Sequence, residues 1–190
     1  LVSFSKTAVA VFGIYFKLQS FVFMPVFGLT QGLMPIMGYN FGARNRRRML
    51  SSLRIGCVIG LLIMAVGTVV FWAIPDKLLL IFDASSEMLR IGHPALQYIS
   101  LCFLPAALGI LSSTLFQAMG RGFYSLIVSV MRQLVVLVPA AWLLSHISLT
   151  AVWFAFPIAE VVSLLTSIFL FQNLYRKVIR NMDVSKTEAM

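Results

Sequence analysis

The stretch that decides the fold covers residues 31–49 and reads QGLMPIMGYNFGARNRRRM. It closes an uncharged run, residues 18–43, and ends in four arginines, Arg44, Arg46, Arg47 and Arg48. An apolar run of more than about 20 residues is typical of a transmembrane helix, and basic residues gather at its cytoplasmic end. The stretch therefore predicts a membrane-spanning helix that emerges on the cytoplasmic side.

The composition of the whole chain favours the same class of protein. Of the 190 residues, 60% are hydrophobic and 11% are charged, whereas a soluble domain carries about 25% charged residues. The net charge of +9 would suggest nucleic acid in a soluble protein. Here the basic residues lie between apolar runs, so we expect the lipid bilayer as partner and no nucleic acid.

The sequence contains no pattern that predicts enzyme chemistry. Cys57 and Cys102 both fall inside apolar runs, and neither indicates a disulfide or a metal site. No GxxxxGK[ST] sequence is present, so nucleotide hydrolysis by that route is not expected. We therefore expect a protein that is not an enzyme and that needs no metal or cofactor.

Five spans are predicted, at about residues 7–39, 55–74, 94–119, 123–144 and 150–172. Four contain an internal proline, which predicts kinks or broken helix ends. Residues 75–93 carry charges of mixed sign and predict an outer loop with a short amphipathic helix at 77–82. The predicted fold class is an all-α membrane protein, a polytopic helical bundle over residues 1–182 with a polar cytoplasmic tail at 183–190.

The distribution of basic residues predicts the orientation of the bundle. Three of them flank the loops on one side: Lys6, Lys77 and Arg90. The other side holds a much larger set, namely Arg44, Arg46, Arg47, Arg48, Arg54, Arg121, Arg176, Lys177, Arg180 and Lys186. Because cytoplasmic loops are enriched in Lys and Arg, the N-terminus is expected outside and the C-terminus in the cytoplasm.

Three charged residues lie within the predicted spans: Lys17, Arg132 and Glu160. Counted from the span ends at a helical rise of about 1.5 Å per residue, Arg132 lies roughly 14 Å deep and Glu160 roughly 15 Å deep from the opposite face. Both reach the middle of the membrane on helices joined by a short hairpin, so a pair is expected. Either a fixed ion pair or a carboxylate that exchanges a proton or cation during transport explains it.

Small and polar residues within the spans predict helix contacts and a cavity. Three G-x-x-x-G pairs, Gly28/Gly32, Gly38/Gly42 and Gly56/Gly60, predict close helix packing in the first two spans. Polar residues in the spans are expected to bond to neighbouring helices, with some facing a cavity. The candidates to line that cavity are Gln19, Thr30, Gln97 and Tyr98.

The run from Gln31 to Asn45 resembles the signature that follows the eighth span of MATE transporters, the multidrug and toxic compound extrusion proteins. The residues that carry the resemblance are Gln31, Pro35, Gly38, Tyr39, Asn40, Gly42 and Ala43. Residues 116–122, FQAMGRG, and 156–160, FPIAE, resemble the tenth and twelfth spans. The resemblance implies a fold of twelve helices in two six-helix lobes, with this chain as the second lobe without its first helix.

The resemblance also implies a function. Such proteins export small organic cations across the plasma membrane in exchange for H+ or Na+, and this chain would work with the N-terminal lobe that it lacks. Members with a cation site in this lobe carry acids in their seventh and tenth helices. The span at 94–119 contains no acid, so that site does not transfer, and Glu160 with Arg132 is the coupling candidate.

Two alternatives remain open at the level of sequence. One is a flippase for lipid-linked precursors from the same superfamily, which would need several cationic residues facing a central cavity. The chain offers Lys17 and Arg132 for that purpose. The other alternative is a membrane protein that does not transport, either a five-helix remnant or an assembly subunit.

Overall fold

The computed structural model describes residues 6–182, and every regular element within that range is helical. The prediction of an all-α membrane protein is confirmed. The elements are α1 (Lys6–Gly42), α2 (Arg46–Ala73), α3 (Pro75–Leu80), α4 (Ser86–Ser100), α5 (Phe103–Ala118), α6 (Gly122–Val130), a π-helical segment (Met131–Leu137), α7 (Val138–Ser145), α8 (Leu149–Trp153), α9 (Ala155–Lys177) and a 3-10 turn (Ile179–Asn181). The predicted tail, residues 183–190, lies outside the described residues.

Four stretches are long and apolar enough to cross a membrane: Lys6–Gly42, Arg46–Ala73, Gly122–Ser145 and Leu149–Asn181. A fifth candidate is the pair α4 and α5, which is bent by 45°. These five correspond to the five predicted spans. Below, the outer end of the bundle is the end that carries α3, and the inner end is the one with the arginine cluster, according to the predicted topology.

The helix that carries the third predicted span begins before Pro94, the predicted start of that span. Helix α4 begins at Ser86, and the Ser85 hydroxyl caps it by accepting a bond of 3.3 Å from the backbone N–H of Met88. The acidic and basic residues of this helix are exposed, while its apolar residues are buried or half-buried. Glu87 and Arg90 therefore belong to an amphipathic helix, where the sequence predicted a loop. The short helix expected at 77–82 is present as α3, two residues earlier.

Two prolines divide the spans in which they lie. Pro105 has no N–H to donate to the carbonyl of Leu101, and α4 ends just before that residue. Pro157 likewise has no N–H to donate to the carbonyl of Trp153, which is the last residue of α8. The last span also extends to Lys177, beyond its predicted end at residue 172. By contrast α1 continues through its two prolines, so the broken end expected there is absent.

Helix α5 lies at the centre of the bundle and packs against α1, α2, α6 and α9. Two apolar clusters stack along it. The outer cluster joins α1, α4 and the first half of α5 with Trp153, and the inner cluster joins the second halves of α1 and α5 with the end of α9. Large apolar side chains such as Phe21 and Phe169 remain exposed on the outside, as lipid contact requires.

The glycine pairs differ in what they contact. A Cβ on Gly56 would collide with Leu33, and one on Gly60 would lie 2.9 Å from Leu111 Cδ1, so α2 approaches α1 and α5 closely at this pair. Around Gly28, Gly32 and Gly42 no described atom lies within 4 Å of such a Cβ. The expectation of tight packing is therefore confirmed for the pair in α2, and Gly28/Gly32 makes no such contact within residues 6–182.

Candidate functional site

A cavity of about 390 Å³ opens between α1 on one side and the π-helical segment and α9 on the other. We call it the aromatic cavity, because four phenylalanine rings contribute to its wall. Its lining residues are Phe16, Gln19, Ser20, Phe23, Met24, Phe27, Cys102, Ile110, Arg132, Gln133, Leu137, Phe156, Ala159 and Glu160. The volume falls in the range of about 300–1,000 Å³ that is typical of small-molecule sites.

A second cavity, of about 230 Å³, adjoins the first on its inner side. We call it the polar cavity, since hydroxyl and amide groups make up much of its wall. Its lining residues are Phe27, Thr30, Gln31, Met34, Gly109, Ile110, Ser113, Thr114, Gln117, Ser125, Val128, Ser129, Arg132 and Ser163. Phe27, Ile110 and Arg132 belong to both cavities and form their common wall.

The structure brings Arg132 and Glu160 together. Arg132 Nη1 donates to Glu160 Oε1 at 3.2 Å, and the side chains are 31% and 13% exposed. Arg132 lies in the π-helical segment and Glu160 one turn into α9, so the contact spans the hairpin that joins the last two spans. A carboxylate this buried is stabilised by the guanidinium, because removing an unpaired charge from water is costly.

The π-helical segment has an identifiable local cause. It ends at Leu137, and Pro139 follows as the second residue of α7. Because proline has no N–H to donate, a wider turn before it lets neighbouring N–H groups serve the carbonyls that it leaves free. The segment has no buried residue and places Arg132, Gln133 and Leu137 in the aromatic cavity.

The candidate cavity residues divide into two groups. Gln19 lines the aromatic cavity and Thr30 lines the polar cavity. Gln97 and Tyr98 line neither of them, because they lie on α4, beyond the bend, and the Tyr98 ring packs on Phe154 at 4.6 Å. Lys17 is also outside both cavities: its side chain is exposed, and Nζ lies 5.6 Å from the ring of Phe82 at the outer end.

The family-signature residues lie in the last part of α1, except Ala43, which lies in the turn that follows the helix. Of this set, Gln31 lines the polar cavity, while Pro35, Tyr39, Gly42 and Ala43 are exposed. A Cβ on Gly38 would lie 3.3 Å from the carbonyl oxygen of Ala118, which marks a close crossing of α1 and α5. The buried Asn40 donates through Nδ2 to the carbonyl of Ile36 at 2.8 Å.

The sequence analysis did not identify most of the residues that line the cavities, although their spacing along the helices is regular. Lining residues of α1 recur every three or four positions: Phe16, Ser20, Phe23, Phe27, Thr30 and Met34. The same helical period relates Gly109, Ser113 and Gln117 in α5, and Ser125, Ser129 and Arg132 in the fourth span. Residues at this spacing share a helix face. Which of the apolar faces meets a cavity depends on the packing of the helices.

Acids, cysteines and histidines do not gather into a metal site in residues 6–182. Among the described residues that line the two cavities, Arg132 and Glu160 are the ones that offer a ligand a formal charge. Such a site can bind and orient an organic ion, and it contains a carboxylate that could take up a proton.

Comparison with known proteins agrees with this arrangement. The MatE family model matches residues 1–143. The chain is 26% identical over 175 residues to the multidrug export protein MepA of Staphylococcus haemolyticus, covering 92% of this chain and 38% of that protein. The chain thus spans well under half the length of the curated relatives it matches.

Solved structures show the same fold. The MATE transporter VcmN of Vibrio cholerae, in its bent form, superposes with a TM-score of 0.86 at 19% identity, over 97% of this chain and 41% of VcmN. The MATE multidrug transporter DinF-BH, solved as a complex, superposes with a TM-score of 0.78 at 32% identity, over 90% of this chain and 38% of that chain. This multi-pass membrane protein therefore belongs to the MatE family of transporters.

Proposed function

We propose that the chain forms part of a secondary active antiporter that exports cationic amphiphilic compounds in exchange for protons or sodium. The observation that carries the proposal is the aromatic cavity with Glu160 in its wall. Phenylalanine faces attract organic cations, and a carboxylate in a low-dielectric site adds a directed charge. The half-buried walls leave room for a flat, drug-sized molecule.

Glu160 is the proposed coupling residue and Arg132 its partner. Loss of the negative charge, by protonation or by a competing cation, would weaken the contact of 3.2 Å and release Arg132. The contact joins the fourth and fifth spans, so its rupture would change how those two helices pack. Binding of a proton or cation at Glu160 would thereby be linked to movement of these two helices.

The proposal includes a second lobe. The chain spans 38% of the MepA protein that it resembles, and transporters built from two repeats bind substrate at the interface between them. We propose that an N-terminal lobe completes the transporter in the plasma membrane. The N-terminus of this chain would lie outside and its C-terminus in the cytoplasm.

The flippase alternative loses support from the position of Lys17. That alternative requires several cationic side chains at a central cavity, and Lys17 lies at the outer end against Phe82. Of the two candidate cations only Arg132 lines the described cavities.

The test is export of the fluorescent cation rhodamine 6G by cells that lack other drug exporters and express the complete reading frame containing this chain. The proton and sodium gradients are collapsed separately. We expect export to stop when one of the two is removed. Unchanged dye accumulation relative to cells carrying an empty vector would contradict the proposal, as would export that survives the loss of both gradients.

A further inference from the structure

Acidic and basic residues are segregated between the two ends of the bundle. The acids within residues 6–182 are Asp76, Asp83 and Glu87 at the outer end, and Glu160 in the last span. The basic residues that the structure describes at the inner end are Arg44, Arg46, Arg47, Arg48, Arg54, Arg121, Arg176, Lys177 and Arg180. The two acids of the tail lie outside the described residues. The described inner end is therefore positively charged without a balancing acid.

The basic residues of the inner end are arginines with the exception of Lys177, whereas the outer end has Lys6, Lys77 and Arg90. The enrichment of cytoplasmic loops in positive charge is met equally by lysine and arginine. A guanidinium group differs from an ammonium group because its planar donors bind a phosphate through two parallel hydrogen bonds. The excess of arginine therefore points to phosphate groups as partners, in addition to a general positive charge.

A contact between two elements that are distant in the sequence gathers part of these arginines. Arg46 Nη2 donates to Tyr175 Oη at 2.9 Å, and Arg46 Nη1 donates to the carbonyl oxygen of Arg180 at 3.5 Å. Arg47 follows Arg46 on α2, and Arg176 follows Tyr175 on α9. The start of α2 and the end of the last span thus meet at this contact. We call Arg47, Arg176 and Arg180 the inner arginine patch.

The guanidinium groups of the inner arginine patch are available to a ligand. All three side chains are exposed. Their guanidinium groups make no hydrogen bond or ion pair with another residue in the range 6–182. Like charges that lie near one another repel, and an anion bound among them removes that repulsion. A phosphate group on the patch would accept hydrogen bonds from these donors.

Toward the membrane interior, both helices continue the patch with exposed apolar side chains. On α2, Val58 follows Arg47 by eleven residues, which places the two on one helix face. On α9, Phe169 precedes Arg176 by seven residues, again on one face. A ligand that matches this order of surfaces has an anionic head and apolar chains. Inorganic phosphate would use the first of the two surfaces, whereas a phospholipid uses both.

We propose that the inner arginine patch binds the phosphodiester head of an anionic phospholipid, whose acyl chains lie along the apolar faces of α2 and α9. By the predicted topology this site lies in the cytoplasmic leaflet, where basic pockets between transmembrane helices bind anionic lipid heads. The bound lipid would join the second and last spans beside the contact made by Arg46. The inference concerns the membrane partner of the chain and does not rest on the proposed export function.

Binding of phosphatidylglycerol that carries a fluorophore on one acyl chain tests the proposal. Fluorescence polarisation on the purified full-length transporter in detergent gives its dissociation constant, and phosphatidylcholine with the same fluorophore is the neutral lipid. We expect phosphatidylglycerol to bind at least about tenfold more tightly, since each basic residue near an anionic lipid contributes about fivefold in affinity.

Replacement of all three patch residues by glutamine removes three charges from exposed positions. This variant, Arg47→Gln with Arg176→Gln and Arg180→Gln, should lose at least about tenfold in affinity for phosphatidylglycerol. The matched control removes three charges from exposed residues of the outer end: Lys6→Gln, Lys77→Gln and Arg90→Gln. The control should keep the wild-type affinity, and size-exclusion profiles show that both variants are folded.

Replacement of the same three arginines by lysine separates a phosphate site from general attraction of charge. The lysine variant keeps the net charge and loses the planar pairs of donors, so we expect its affinity for phosphatidylglycerol to fall by about threefold or more. Glycerophosphoglycerol, the same head without acyl chains, should displace the labelled lipid at concentrations at least about a hundredfold higher than unlabelled phosphatidylglycerol does.

Four outcomes overturn the proposal. They are equal binding of the two lipids by the wild type, equal losses in the glutamine variant and its control, wild-type affinity in the lysine variant, and displacement by glycerophosphoglycerol at the concentration of the unlabelled lipid. The last result would assign a site for soluble phosphate esters in place of a lipid site. Export of rhodamine 6G is measured separately in cells, so each of these results leaves the proposed export function standing.

Discussion

At the scale of residues, the most consequential contact joins two charges that lie 28 positions apart in the sequence. Each would be costly in the membrane by itself, and the pair lowers that cost. A fixed ion pair and a coupling carboxylate both require the side chains of Arg132 and Glu160 to lie in contact. They differ in what happens when one charge is removed, so substitution separates them.

Glu160→Gln preserves the size of the side chain and removes its charge. If Glu160 carries the coupling ion, rhodamine 6G export by the complete reading frame should fall at least about tenfold while membrane insertion stays normal. If it only balances Arg132, the unpaired arginine should destabilise the fold by about 3–5 kcal/mol and reduce the folded yield. Efflux and size-exclusion profiles measure the two effects.

The double variant Arg132→Met with Glu160→Gln completes this prediction. Recovery of folded yield together with export would assign a structural ion pair. Recovery of yield without export would support a part for Glu160 in the transport cycle. Wild-type export by Glu160→Gln alone would rule out the coupling role.

Backbone conformation at the inner turns gives a second prediction at this scale. Gly120 has a φ of 71°, and the N–H of Arg121 donates to the carbonyl of Phe116 at 2.7 Å, which closes α5 with a left-handed residue. Gly120→Ala should cost about 1–2 kcal/mol of stability, since a Cβ is disfavoured at this φ. Thermal unfolding in detergent measures the loss.

The control for Gly120 is Gly122→Ala, two residues away at the start of α6. Within the part of the chain that the structure describes, a Cβ meets nothing within 4 Å at either glycine, but only Gly120 of the two has a positive φ. Gly122→Ala should therefore leave the unfolding temperature unchanged or raise it slightly. Equal effects of the two substitutions would show that φ is not the cause.

At the scale of elements, close packing of α2 against α5 depends on Gly60. A Cβ there would lie 2.9 Å from Leu111 Cδ1, and Leu111 is fully buried. Gly60→Leu should overpack the contact and destabilise the bundle by about 1–3 kcal/mol. Gly28→Leu is the control, because no atom of the described residues lies within 4 Å of a Cβ at Gly28. A comparable loss of thermal stability in both variants would contradict the proposed close approach.

The prolines act at the same scale, and their effects depend on surroundings. Pro105 and Pro157 each coincide with a helix break four residues upstream, whereas Pro25 and Pro35 lie inside the continuous α1. At the first break, the carbonyl of Gln97 accepts a bond of 2.9 Å from the Ser100 hydroxyl. A bend in a membrane helix needs such substitutes for lost backbone bonds.

At the scale of the whole molecule, the topology proposal predicts the accessibility of two serines. With Cys57 and Cys102 replaced by alanine, Ser85→Cys should react with a membrane-impermeant maleimide in intact cells. Ser185→Cys should react only after the membrane is opened. Labelling of Ser185→Cys from outside would overturn the orientation derived from the arginine-rich inner end.

The membrane class, the five spans and the pairing of Arg132 with Glu160 could all be predicted from the amino-acid sequence, because they follow from apolar length, charge and helical rise. The length of α4 and the break at Leu101 depended on a side-chain cap and on where one proline falls within a packed bundle. Only the tertiary structure shows that Gln19 and Thr30 face cavities, whereas Gln97 and Tyr98 do not. Helical spacing shows which residues share a face, but several apolar faces are equivalent in lipid. Packing between helices that are distant in sequence selects the faces that border a cavity.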